Sequence, residues 1–149
     1  MTAQIWIAVI VGLAATGEDL WRRSVSNWIS VSALVAGIVW QLSQGGWAGL
    51  WTALAGALIG FSVFLVFYLF GGMGGGDVKL MAGFGALLGA GRLLEAALWT
   101  AAIGGLLAMA VLMWHTLRQR MGRGSTKRLE AIPYAPAITL GVWLSLVPR

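Results

Sequence analysis

Long apolar runs separated by short polar punctuation constrain this chain more than any other feature. Such runs extend from about Ile5 to Gly17, Trp28 to Leu42, Trp47 to Phe70, Val78 to Gly91, Leu93 to Leu117 and Ile132 to Val147. About 20 apolar residues cross a bilayer as a helix, because lipid offers no partner to an unpaired backbone amide. Only 10% of the residues are charged and the mean hydropathy is +0.84, against roughly 25% charged in a soluble domain. The expected fold is therefore all-α: a polytopic membrane protein with six transmembrane helices. Six spans take roughly 120 residues, so the 149 residues are expected to form a single transmembrane domain, 1–149.

The fourth run is short. Val78 to Gly91 is 14 residues, roughly 21 Å of helix against a hydrocarbon core of roughly 30 Å. If its far end reaches the opposite interface, its start is inset in the membrane. Irregular backbone at that depth must be enclosed by protein or line a wet cavity. The irregular stretch in question is Gly71-Gly72-Met73-Gly74-Gly75-Gly76-Asp77-Val78-Lys79. Its glycines permit backbone paths closed to other residues, and its acid is costly at the mouth of a membrane helix, which marks a functional site.

Charge distribution orients the chain. With loops numbered alternately, Arg22, Arg23, Lys79, Arg118, Arg120, Arg123, Lys127 and Arg128 fall on one side, and Arg92 and Arg149 on the other. The positive-inside rule then puts the first side in the cytoplasm and both termini outside. The basic Arg118–Arg128 loop is read as an anionic-lipid contact rather than a nucleic-acid site. The start of the chain lacks a positive n-region and a small-x-small site before Glu18, so the first run is expected to be a retained helix. Cysteine is absent, which excludes disulfides, thiolate metal sites and a cysteine nucleophile. Neither a metal nor a cofactor is expected. His115 and the tryptophans near run ends (Trp21, Trp28, Trp47, Trp99, Trp114 and Trp143) fit an interfacial role.

The glycine stretch lacks the Gly-Lys-Ser/Thr of a P-loop, and no strand precedes it as a dinucleotide fingerprint needs. What remains is Gly74-Gly75-Gly76-Asp77, a GxGD at a helix start. A second acid stands at the same expected depth, in the polar turn Glu18 to Ser24. Asp19 and Glu18 compete for that role on chemistry alone. The bland alternative is that the glycines only allow close helix packing and that Asp77 caps its helix. For the next helix, Ser26 or Asn27 would be the cap.

Three segments together carry a resemblance. Asp19-Leu20-x-x-Arg23-x-Val25-Ser26-Asn27 resembles the first-aspartate motif D-L-x-x-R-x-I-P-N of the type IV prepilin leader peptidases. Gly71 to Leu80 resembles their second motif, G-G-x-G-x-G-D-x-K-L, and Ile132-Pro133-Tyr134-Ala135-Pro136-Ala137-Ile138 resembles the I-P-Y-G-P-A-I of their last helix. Ser26 stands where proline is usual and Ala135 where glycine is usual. The resemblance implies a GxGD membrane aspartic peptidase that cuts prepilin leaders on the cytoplasmic side, with catalysis on Asp19, not Glu18, and on Asp77. Gly74, Gly75, Gly76 and Lys79 would form the active-site loop and contact substrate. Arg23, Asn27, Pro133, Tyr134 and Pro136 support the match. Larger members carry a methyltransferase region with paired CxxC motifs; this chain, without cysteine, is similar to the short form of tight-adherence, Flp-type pili and is not expected to methylate.

Two carboxyls that share one proton suffice for peptide hydrolysis, one taking a proton from water and the other donating to the scissile carbonyl. The reading from a different class is a small proton-coupled transporter or channel subunit using the acids as a relay. A relay needs more charged stations inside the helices than this chain has. A metal-dependent phosphotransferase needs more carboxylates than Glu18, Asp19 and Asp77.

Overall fold

The computed structural model describes residues 2–71, 73–120 and 134–147. They form four helices: α1 Thr2–Arg22, α2 Asn27–Leu69, α3 Gly75–Arg120 and α4 Ala135–Leu146. The expectation of an all-α protein holds. Three helices, α1 to α3, are long and apolar enough to cross a membrane. Large apolar side chains such as Trp6, Ile10, Val39, Leu58, Leu98 and Met113 lie exposed along them. A soluble monomer rarely shows a contiguous apolar patch above a few hundred Å², so this outer surface is one suited to lipid.

Several expected boundaries need correction. The second and third runs are one element, α2, and the fourth and fifth are one element, α3. Each is kinked at a single glycine in the left-handed region, Gly46 (φ 53) and Gly89 (φ 72). One residue with positive φ turns the chain, so no separate loop is needed. Both kinks reverse the chain. Gly37 and Gly56, on opposite arms of α2, pack against the same stretch of α3, at Ala86–Leu87 and at Gly85. Gly60 likewise meets the Met81 carbonyl and the Leu93 side chain, on opposite arms of α3. The first helix also runs further than expected. Glu18 and Asp19 lie in its last turns rather than in a polar turn, and the helix ends where Arg23 adopts φ 53.

The first arm of α3, from Gly75 to the kink, is the centre of the molecule. From Asp77 to Gly89 every residue is buried except Lys79 and Ala82. A helix apolar all round is one enclosed by its neighbours. Leu80, Met81, Phe84 and Leu87 fill the core, with Phe64, Val78, Leu93, Ile138 and Val142 around them. The kink at Gly89 interrupts the helical ladder, and the Leu87 carbonyl nearby accepts from two side chains: Gln4 Nε2 at 2.8 Å and Gln41 Nε2 at 3.1 Å. The broken end of the short arm is thus capped from α1 and α2. A buried carbonyl stripped of every donor costs about 1–3 kcal/mol. Gln4→Leu and Gln41→Leu should each lower the thermal midpoint in detergent slightly, since one donor remains. The double variant should lose more than the sum, and strictly additive losses would refute the shared cap.

Candidate active site

The last helix is registered on the first by a ladder of hydrogen bonds. Trp143 Nε1 donates to the Ala8 carbonyl (3.1 Å), and Thr139 Oγ1 donates to the Gly12 carbonyl (3.2 Å). With its hydrogen committed there, Thr139 Oγ1 accepts from Thr16 Oγ1 at 3.1 Å. Gly12 has no side chain because a Cβ would strike Thr139 Cγ2. The next rung carries an acid: Asp19 Oδ2 accepts from the Ala135 amide at 3.1 Å. Ala135 is the first residue of α4, whose N–H has no partner inside its own helix. Asp19 therefore sits at the positive end of α4, buried to 5% exposure. Trp143, expected at the interface, is instead part of this ladder.

Asp77 has a parallel setting. It lies in the first turn of α3, and its Oδ2 accepts from the Gly74 amide just before the helix (3.2 Å). It too is buried, at 7% exposure. The two carboxyls are in electrostatic reach of each other but are not hydrogen-bonded together. Asp19 and Asp77 are 58 positions apart in the chain, one placed by the α1–α4 ladder and the other by the enclosed arm of α3.

The remaining predicted residues cluster about this pair in different ways. Gly74 donates to Asp77, Gly75 lies against the Tyr68 ring, and a Cβ on Gly76 would fall 3.0 Å from the Val25 carbonyl. Lys79 Nζ donates to Asn27 Oδ1 at 2.9 Å, so its ammonium is engaged by a neutral amide rather than by Asp77. Arg23 closes the end of α1 with its amide on the Asp19 carbonyl (2.8 Å). Tyr134 is the N-cap residue of α4 and Pro136 its second residue, where a missing N–H costs nothing. Ser26 is the N-cap residue of α2, without a side-chain cap bond. Pro133, Arg123, Lys127 and Arg128 lie outside the described residues, as do the side chains of His115, Arg118 and Arg120.

Sequence reasoning missed one participant and misjudged the part of another, which it weighed only as a rival to Asp19. The Ala135 amide is a backbone donor, which carries no side-chain signature. Glu18 is the other: its Oε2 accepts from the Ser26 amide at 2.8 Å, while Oε1 lies 4.0 Å from Arg22. Beside the pair, between α2 and the second arm of α3, is an apolar cavity of about 590 Å³. Phe64, Phe67, Met73, Ala97, Thr100 and Tyr134 are among its lining residues. Among the described residues no group of three or more His, Cys, Asp or Glu is placed to hold a metal ion.

A helical fold with an apolar exterior, in which the buried acids among the described residues are two aspartates, each accepting from an amide at or just before a helix start, is that of a membrane protein with a candidate two-carboxyl site. The chain belongs to the type IV leader peptidase family, whose model matches residues 6–109. That match spans Asp19 and Asp77 and makes the protein a peptidase in general class. No curated protein and no solved structure matches the chain.

Proposed function

We propose that this protein is an aspartic endopeptidase that removes the leader of type IV, Flp-like prepilins at the cytoplasmic face of the inner membrane, with Asp19 and Asp77 as its catalytic pair. The observation that carries this reading is the burial of two carboxyls within electrostatic reach of each other. A helix start needs only an uncharged acceptor as a cap; Ser, Thr or Asn serves as well as Asp. Two buried acids whose charges act on each other are an expensive way to cap two helices, and paired carboxyls with unequal proton affinity are a recurrent catalytic device.

In the reaction, one carboxylate takes a proton from water as the water oxygen attacks the scissile carbonyl carbon. The other carboxyl donates its proton to the carbonyl oxygen. Collapse of the tetrahedral centre breaks the C–N bond, and the leaving nitrogen takes a proton from the pair. The Asp19 and Asp77 oxygens are oriented by the Ala135 and Gly74 amides, which leaves each carboxyl a second oxygen for chemistry. The apolar cavity beside Met73 and Tyr134 suits the apolar helical part of such a substrate, and the glycines of the loop allow an extended peptide near the backbone. The test is cleavage of a prepilin by the purified protein in detergent. No cleavage, or cleavage that survives loss of the pair, ends the proposal. The relay reading is weaker because, among the described residues, Asp19 and Asp77 are the only buried acids. A path across the bilayer needs further stations.

We also propose that the two kinked helices each cross the membrane twice, giving six spans with both termini outside, the short arm of α3 inset, and a single peptidase domain without methyltransferase activity. Both kink reversals and the charge asymmetry support this. Cysteines placed at Gly45 and Arg123 should be labelled by a membrane-impermeant reagent from opposite sides. Labelling of both from one side would overturn the topology. The Arg118–Arg128 loop would then lie against anionic lipid on the cytoplasmic side.

A further inference from the structure

We infer that residues 23–27 are a strap that sets the position of Asp19 against Asp77, with Glu18 fastening one end and the Asn27–Lys79 pair the other; this rests on the peptidase reading above. Only four residues separate α1 from α2, and the first, Arg23, has φ 53. A non-glycine residue in the left-handed region persists only where its surroundings over-determine it. Here the Arg23 amide bonds the Asp19 carbonyl (2.8 Å), and the Glu18 carboxylate accepts from the Ser26 amide (2.8 Å). Beyond the turn, buried Val25 lies on Gly76, with 3.2 Å between its Cβ and a Cβ placed there. Asn27 Oδ1 then receives the Lys79 ammonium (2.9 Å).

The strap thus starts beside Asp19 and ends on both flanks of Asp77. Glu18, adjacent to one catalytic acid, is a positioning residue whose oxygens are engaged by Ser26 and Arg22. Lys79, two residues from the other, is a positioning residue through Asn27. Ser26 has φ −69 and ψ 149; a proline ring fixes that φ on its own and is compatible with that ψ. A proline there holds the turn without the Glu18 bond.

The experiment measures prepilin cleavage by full-length variants in detergent, normalised to folded protein. Glu18→Leu and Lys79→Met should each lower kcat about 10- to 100-fold with KM unchanged, the scale of effect that misplaced catalytic groups produce. Glu18→Gln keeps an acceptor oxygen and should stay close to wild type, as should Asn27→Asp. Ser26→Pro should restore activity to Glu18→Leu. Spin labels at Leu20 and Met73 should report a broader distance distribution in Glu18→Leu than in the parent. Wild-type kcat and an unchanged distribution in Glu18→Leu overturn the strap. So does a loss confined to KM, or Glu18→Gln as inactive as Glu18→Leu. Failure of the otherwise native protein to cut any prepilin sinks the peptidase reading instead, and the distance measurement still decides the strap.

Discussion

Asp19→Asn and Asp77→Asn should each abolish leader cleavage, by between about 10²- and 10⁴-fold, while the protein stays folded in detergent. Asparagine is nearly isosteric with aspartate and keeps a carbonyl oxygen. That oxygen can accept from the Ala135 amide in one case and from the Gly74 amide in the other. The caps of α4 and α3 therefore survive, and the asparagine relieves rather than adds to the cost of a buried charge. What is lost is the ability to hold and pass a proton. The double variant should be no worse than either single one, because residues that act as a unit lose their whole effect together. Gel-shift assay of a prepilin, alongside thermal unfolding of each variant, separates the two losses. Half-wild-type cleavage by Asp77→Asn would remove the pair from the chemistry. Unfolding of both variants at unchanged pH, with cleavage lost only in proportion, would mean that the acids serve only as caps.

The acids were legible in the sequence because ionisable groups are rare at the ends of apolar runs, so the cost of burying them makes them stand out. The runs themselves revealed the helical class for the same reason. Chain reversal was harder to place. Ser43-Gln44-Gly45-Gly46 reads as a turn, yet helix continues to Gly45 and the reversal rests on Gly46 alone. At the far end of the short arm, Arg92 looked like the boundary. The kink lies three residues earlier at Gly89, where Gln41 and Gln4 cap the Leu87 carbonyl. Neither glutamine announces that role, since each sits in an apolar run and its partner is a backbone atom remote in sequence. Glu18 shows the same limit. Beside Asp19 it was a rival acid on chemistry alone, and only the fold shows that its carboxylate is bound by the Ser26 amide. Ala135, Thr139 and Trp143 recur one helical turn apart, but their partners on α1 are an acid oxygen and two backbone carbonyls more than a hundred residues away, and only the fold brings them together.

Gly85→Leu should prevent accumulation of the folded protein, and Gly85→Ala should leave a less stable protein with little activity. Without a difference in polarity between helix and lipid, packing of helices in a membrane depends on close approach, and glycine permits it. Gly56 and Gly85 meet backbone to backbone: a Cβ on either would run into the carbonyl of the other. A side-chain tip can swing aside, but a helical carbonyl cannot, so α2 and α3 must separate. Overpacking in a core costs about 1–3 kcal/mol even where side chains can adjust. Here separation also loosens the contacts of Phe84 and Leu87, both fully buried on the same arm. Asp77 is eight residues before Gly85, on that same rigid arm, so a shift of the helix carries the acid away from Asp19. Activity should therefore fall further than stability in Gly85→Ala. Gly45→Ala and Gly91→Ala are the controls, since a Cβ at either position meets nothing within 4 Å. Thermal unfolding and prepilin cleavage of all four variants test the argument. Gly85→Leu that accumulates and cleaves like the parent would show that the two helices do not need this contact to hold Asp77 in place.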